Sequence, residues 1–206
     1  MEQKLKSIEQ RALQYWFADG LAELMGASVC VLLAIYFAAQ LIIPQSSFVI
    51  LFLLVFLAAF GLRKLMYGFR QRSTYQRTGY VAAKRSRQNR TLLVVAITFT
   101  LLLLAFMLYT ILSSFDIFPW LSLMSGVIFA FLFLMTGYGA KLCRFYYLAG
   151  FSILLGGGLV LIDLGNFWGV AIHSLVMGVS LTAFGLRTRL GYLRQSVPLM
   201  EQEDES

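Results

Sequence analysis

Charge is scarce in this chain: 13% of its 206 residues are charged, and 59% are hydrophobic. A soluble domain carries about 25% charged residues. Mean hydropathy is +0.76. The chain has one His, two Cys and three Pro. A zinc centre normally takes three or four protein ligands, which one His with one plausible carboxylate does not provide. Cys30 sits in an apolar run and Cys143 between runs, so neither a disulfide framework nor metal spacing is present. There is no Gly-rich loop ending in Lys-Ser/Thr, no His-Glu-x-x-His and no Cys-x-x-Cys. ATPase, metallopeptidase and thiol-redox chemistry therefore lack their essential groups. We expect no metal, no cofactor and no enzymatic activity.

What fills the chain instead is six apolar runs, roughly 21–43, 46–62, 92–113, 117–136, 148–164 and 167–186. Crossing some 30 Å of hydrocarbon takes about 20 mostly apolar residues per helix. Together the runs leave no room for a soluble catalytic domain. All seventeen Lys and Arg fall on the same side of the alternating pattern these runs make. Lys4, Lys6 and Arg11 precede the first, and nine basic residues from Arg63 to Arg90 fill the second gap. Lys141 and Arg144 occupy the fourth gap, while Arg187, Arg189 and Arg194 follow the last run. The gaps Pro44–Ser47, Ser113–Asp116 and Asp163–Asn166 hold none. The positive-inside rule then predicts an all-α integral membrane protein of six transmembrane helices with both termini cytoplasmic. The net charge of +7 is accounted for by anionic lipid at the inner leaflet, and nucleic acid is not an expected partner.

The expected organisation is a cytoplasmic amphipathic segment at 1–19, a membrane domain at 20–187 and a tail at 188–206. Leu5, Ile8, Ala12, Leu13 and Trp16 recur at helical spacing, as in an interfacial helix. The first run is too long for a cleaved signal's apolar region and is read as a spanning helix. Pro44 ends it, and the short turn after it makes helices one and two antiparallel neighbours. Pro119 and Trp120 fit a first helical turn at the outer interface. Gly156-Gly157-Gly158 predicts close backbone contact or a local irregularity in helix five. Gly165 and Gly169 have small-xxx-small spacing but straddle a turn, which makes the match unspecific. An internal echo links Ala59-Phe60-Gly61-Leu62-Arg63 to Ala183-Phe184-Gly185-Leu186-Arg187. Gly20 with Gly26 likewise resembles Gly150 with Gly156. These echoes predict three tandem helical hairpins, 1–2, 3–4 and 5–6.

The segment 63–90 is the most distinctive polar stretch and reads as a basic cytoplasmic loop. Gly68–Val81 mixes aromatics, Arg and β-branched residues, as in a short interfacial hairpin or strand-like excursion. Its Tyr75-Gln76-Arg77-Thr78-Gly79-Tyr80-Val81 resembles a Tyr-Pro-Arg-Thr-Gly-Tyr-Val loop of uncharacterised prokaryotic multi-pass membrane proteins, with Gln76 in place of the proline. The resemblance covers seven residues; it implies a prokaryotic plasma or inner membrane and no activity. Arg70, Arg72, Arg77, Lys84, Arg85 and Arg87 are candidates to bind anionic headgroups or a partner, since Arg makes bidentate phosphate contacts. The same charges also serve simply to hold the loop inside.

Ionisable groups in or near the apolar runs are the other candidates. Asp19 and Glu23 lie four apart on one face of helix one. They could form a proton relay or cation site, or pair with a basic residue such as Arg63, Lys141 or Arg187. His173 falls about two turns into helix six, with Asp163 near by at the end of helix five; together they could pass protons, or His173 could simply bond a neighbouring helix. Glu23, Asp19, His173 and Asp163 thus trace a candidate substrate or proton path. Two functions follow. One is a small permease, channel-like protein or subunit, the apolar helices suiting a lipid-like cargo. The other is a non-transporting scaffold or regulator that binds anionic lipid, a membrane-protein partner or a second copy through the basic loop.

Overall fold

In hydrocarbon, a run of Leu, Phe, Val and Ile can satisfy its backbone N–H and C=O groups within a helix. The computed structural model describes residues 17, 19–42, 48–73, 90–113, 116 and 118–195, and the regular structure among them is entirely helical. Helix α1 is Leu21–Ala39, α2 is Phe48–Ser73 and α3 is Arg90–Ser113. Helix α4 is Leu121–Ala140, α5 is Cys143–Leu161 and α6 is Phe167–Gln195. A 3-10 turn at Phe118–Trp120 leads into α4. Among the described residues, four stretches are long and apolar enough to cross a membrane: α1, Phe118–Ala140, α5 and Phe167–Arg194; α2 contributes the shorter Leu53–Leu62. This is an all-α fold with several long apolar helices, consistent with a multi-pass membrane protein.

The helices overrun the apolar runs wherever basic residues follow or precede them. Helix α2 continues to Ser73, so Arg63–Ser73 is helix rather than loop, and Gly68–Ser73 begins no hairpin or strand. Helix α5 starts at Cys143 rather than Leu148, and α6 passes through Arg187 to Gln195, which puts the expected 187/188 boundary inside a helix. The reason is physical. Arg and Lys are good helix formers and extend an established ladder. The amphipathic 5–16 segment, the Pro44–Ser47 turn, the Tyr75–Val81 motif and the acidic tail lie outside the described residues.

Two helix ends explain residues whose roles were open. At the end of α5, Leu164 N–H donates to Leu159 O at 2.8 Å and Asp163 N–H to Val160 O at 3.0 Å. This is a Schellman stop with Asp163 in the left-handed region at φ 62°. At the end of α4, Lys141 takes the same role at φ 52°, and Leu142 N–H reaches back to Gly137 O at 3.3 Å. A Cβ costs about 1 kcal/mol in this conformation. Lys141→Gly should therefore stabilise the protein by up to about 1 kcal/mol, read as a rise in thermal midpoint in detergent. A fall would show that the Lys141 side chain makes an outweighing contact.

Packing divides the four best-described helices into two antiparallel pairs. Helix α1 packs most extensively on α6, and α4 on α5. The α4–α5 pair is a reciprocal zipper of two Ser-x-x-x-Gly segments. A Cβ on Gly126 would come 2.8 Å from Ser152 O, and one on Gly156 would come 2.7 Å from Ser122 O. In the α1–α6 pair, a Cβ on Gly178 would meet Ala27 O at 3.3 Å, and one on Gly185 would meet Gly20 O at 3.1 Å. Gly20 itself has φ 70° and lies so close to Gly185 O that only glycine fits. The seam between the pairs is sparser, with α6 resting on α4 and α5. Met177 and Leu148 are the most deeply buried apolar side chains of the core.

Hairpins 1–2 and 5–6 are therefore not the principal packing units among the described residues. Helix α1 does touch α2, and α5 touches α6, but the dominant partners are α6 for α1 and α4 for α5. The echoed glycines also sit in different surroundings. Gly20 and Gly185 are at backbone contact, whereas their counterparts Gly150 and Gly61 face open space. Of the Gly156–Gly158 run, only Gly156 is at close backbone contact. Helix α3 reaches α4 through a Phe99–Phe131 stack with ring centroids 3.7 Å apart.

Candidate functional site

Polar side chains converge on the seam between the two helix pairs. At one end, Gly20 lets the chain enter α1 against the last turns of α6, and Asp19 is buried there with its Oδ1 accepting Leu21 N–H at 3.2 Å. One turn on, Glu23 is buried and faces Arg144 in the first turn of α5. The Arg144 Nη2–Glu23 Oε1 separation is 2.5 Å. The contact is a close ion pair whose geometry falls short of an aligned hydrogen bond, and Glu23 Oε2 has no hydrogen-bond partner among the described residues.

Arg144 does more than neutralise Glu23. Its Nη1 donates to Thr188 Oγ1 at 2.7 Å and its Nη2 to Phe17 O at 2.8 Å. The hydroxyl of Thr188 in turn donates to Phe184 O at 2.9 Å, which leaves its oxygen lone pairs for the guanidinium. The Phe145 ring meets Phe17 edge-on, with centroids 5.3 Å apart. One arginine thus ties α5 to α1, to α6 and to the residue leading into α1. Its side chain is 21% exposed, so the latch sits at the rim of the core rather than at its centre.

His173 lies in the second turn of α6 and is fully buried. Its Nε2 is 3.2 Å from both Ser152 Oγ and Ser152 O. Ser152 Oγ donates its proton to Gly126 O at 3.0 Å. With that proton committed, Nε2 is the nitrogen that carries hydrogen and donates to Ser152. Nδ1 faces no hydrogen-bond partner among the described residues, and the same holds for the Ser174 hydroxyl. The Phe129 ring covers the imidazole, with centroids 5.4 Å apart. Arg144 and Ser152 are eight residues apart on α5, about 12 Å along its axis, so latch and imidazole are separate stations on one seam.

The far end of the seam is closed by backbone. Ser122 Oγ donates to Leu164 O at 3.0 Å, and Ser122 N–H to Gly165 O at 3.0 Å. Gly165 approaches Pro119 O, and Gly169 approaches Leu164 O, so closely that neither has room for a side chain. Asp163 is exposed in the adjoining turn, where it shapes the helix stop, and the imidazole contact of His173 is to Ser152 instead.

Of the sequence candidates, Asp19 and Glu23 come together at one end of the seam, His173 lies midway and Asp163 sits at the opposite end. Lys141 and Arg187, two of the expected Glu23 partners, are exposed, and Arg144 fills that role. Arg70 and Arg72 lie on α2 with side chains outside the description, and Arg77, Lys84, Arg85 and Arg87 lie outside the described residues. Arg144, Ser152 and Thr188 were not singled out as site residues from sequence; the two Ser-x-x-x-Gly segments were the signal available for Ser152. Among the described residues, no three His, Cys, Asp or Glu side chains gather in a metal-binding group. The chain matches no protein-family model, no curated protein and no solved structure.

Proposed function

We propose that this chain is a small permease-like membrane protein that moves a lipid-like substrate by rocking the α1–α6 pair against the α4–α5 pair. One observation carries the reading. Small-residue zippers hold each pair together, while the seam between them carries discrete polar contacts at Glu23–Arg144–Thr188 and His173–Ser152. Close-packed pairs move as rigid bodies, and a few polar contacts can be exchanged as they do so. Rocking of one helical unit against another around a site near the midplane is a general device of transporters. Glu23, Asp19, His173 and Asp163 then mark the path. The apolar walls of the helices suit an acyl chain better than an ion or a sugar.

In this reading all six helices span a prokaryotic cell membrane, with both termini and the 63–90 segment cytoplasmic. The basic residues Arg70, Arg72, Arg77, Lys84, Arg85 and Arg87 would hold anionic headgroups at that face. The test is lipid movement in proteoliposomes containing a fluorescent phospholipid quenched from outside by dithionite. Wild-type protein should raise the quenched fraction above that of protein-free vesicles. In a background with Cys30→Ala and Cys143→Ser, Arg144→Cys and Thr188→Cys joined by a reversible thiol linker should abolish the movement, and dithiothreitol should restore it. Equal movement in linked and unlinked protein would sink the rocking seam.

The scaffold reading draws on a different observation. Helices α2 and α3 expose large apolar side chains around much of their circumference, including Leu54, Leu57 and Phe60 on α2 and Leu101, Leu102 and Leu108 on α3. Lipid, a membrane-protein partner or a second copy could cover them. An absence of lipid movement, together with a nanodisc particle heavier than one chain, would favour this alternative.

A further inference from the structure

We propose that the seam closes only on neutral His173, and that a proton bound at Nδ1 parts α5 from α6, which makes the proton the coupling ion of the transport reading on which this inference rests. The argument is a count of donors and acceptors. In the closed seam Ser152 Oγ gives its proton to Gly126 O, and His173 Nε2–H is spent on Ser152. Protonation would add a second N–H, at Nδ1, where no acceptor stands among the described residues. It would also place a full positive charge under the Phe129 ring in a site with no exposed surface. A buried donor without a partner is unfavourable, and a buried charge without a counter-charge more so.

Among the described residues, no neighbouring element supplies that counter-charge. On α1, Glu23 is engaged with Arg144 beside Gly185, and Cys30 packs against Gly178; Tyr36 lies further along, towards the Phe37–Phe167 end. On α4, the residues facing the imidazole are Phe129 and, through Ser152, Gly126, and the helix's one titratable side chain, Tyr138, is exposed at the opposite end. On α5, Cys143, Arg144, Tyr146 and Tyr147 all lie in the first two turns, away from Ser152. On α6 itself, Arg187, Arg189, Tyr192 and Arg194 are about four turns away or more. Asp163 is exposed in the outer turn. Water is thus the available partner for an imidazolium at this position, and the helices must part to admit it. The sign follows: raising the proton concentration populates the parted state, and lowering it favours the closed one.

The lone histidine makes the test direct. Protein labelled with 15N-histidine in nanodiscs should show a neutral ring protonated at Nε2 at about pH 8 and an imidazolium at about pH 5. Spin labels at Tyr147→Cys on α5 and Leu190→Cys on α6, in the Cys30→Ala, Cys143→Ser background, report whether the helices part. Over the same pH interval a longer inter-label distance should grow by roughly tenfold in population. His173→Gln, which keeps an amide donor but cannot titrate, should hold the short distance at both pH values. A ring that stays neutral throughout, or an imidazolium with unchanged distances, would overturn the proposal. So would an equal distance change in His173→Gln. Lipid movement measured in parallel separates the two readings. A pH-dependent distance without movement removes the transport reading, whereas movement indifferent to pH and to His173→Gln removes the proton site alone.

Discussion

Arg144→Met should destabilise the protein by about 3 kcal/mol, because removing one partner of a buried ion pair leaves the other uncompensated. Glu23 is buried and Arg144 is its ion-pair partner at 2.5 Å. The same substitution also releases Phe17 O and Thr188 Oγ1 from their guanidinium donors. Thr188→Val removes only one charge-assisted contact and should cost about 1.5 kcal/mol. Glu23→Met combined with Arg144→Met should recover most of the loss, since an apolar replacement of both members of a buried pair is often close to neutral. A double-mutant cycle in thermal or denaturant unfolding reads all three values. A cost below about 0.5 kcal/mol for Arg144→Met would show that the pair is solvated in the membrane-embedded protein.

That cycle also separates stability from function. If the doubly apolar protein is nearly as stable as wild type, stability alone does not explain the pair. What the pair supplies is a contact that holds one end of the seam closed and can be broken and remade. Thr188→Val, which loosens the latch and leaves every path residue in place, should therefore move lipid at a higher rate than wild type in the dithionite assay. An apolar contact lacks the direction and the exchangeable partners of a guanidinium reaching three separate oxygen acceptors.

The partner of Glu23 shows where sequence reading stops. A carboxylate at that position demands a cation, and a basic residue from an adjacent gap was the natural choice. Whether Lys141 or Arg144 serves depends on where α5 begins, a matter of one helical turn. The apolar run begins at Leu148 and hides that boundary, because Cys143–Tyr147 is helical for reasons of ladder continuity rather than hydropathy. Lys141 instead adopts the left-handed stop of α4 and points away exposed. Asp163 illustrates the same limit: across one short turn from the helix that carries His173, it is held by its φ of 62° in that turn. The helices themselves were legible because their length and lack of charge leave few alternatives. Their pairing was not, because small residues mark a close contact without naming the helix on the other side.

Gly126→Leu should be strongly disruptive in the α4–α5 pair, costing about 3 kcal/mol at the upper end of overpacking effects. The added Cβ would come 2.8 Å from Ser152 O and 3.3 Å from Gly156 Cα, and backbone cannot rotate aside as a side chain can. Gly156→Leu should behave alike, with its Cβ 2.7 Å from Ser122 O. The two costs should not add, because the helices forced apart by the first leucine already make room for the second. Gly158→Leu is the control: no atom lies within 4 Å of its Cβ, and its effect should stay within about 0.5 kcal/mol. A consequence reaches the imidazole. Separating α4 from α5 withdraws Gly126 O from the Ser152 hydroxyl, whose proton is then free to turn towards His173 Nε2. The ring could then carry its hydrogen on Nδ1, so 15N spectra of Gly126→Leu should show a mixture of neutral tautomers where wild type shows one. A single unchanged tautomer in a destabilised Gly126→Leu protein would mean that the Ser152 carbonyl, 3.2 Å from Nε2, sets the tautomer of His173 and the Ser152 hydroxyl does not.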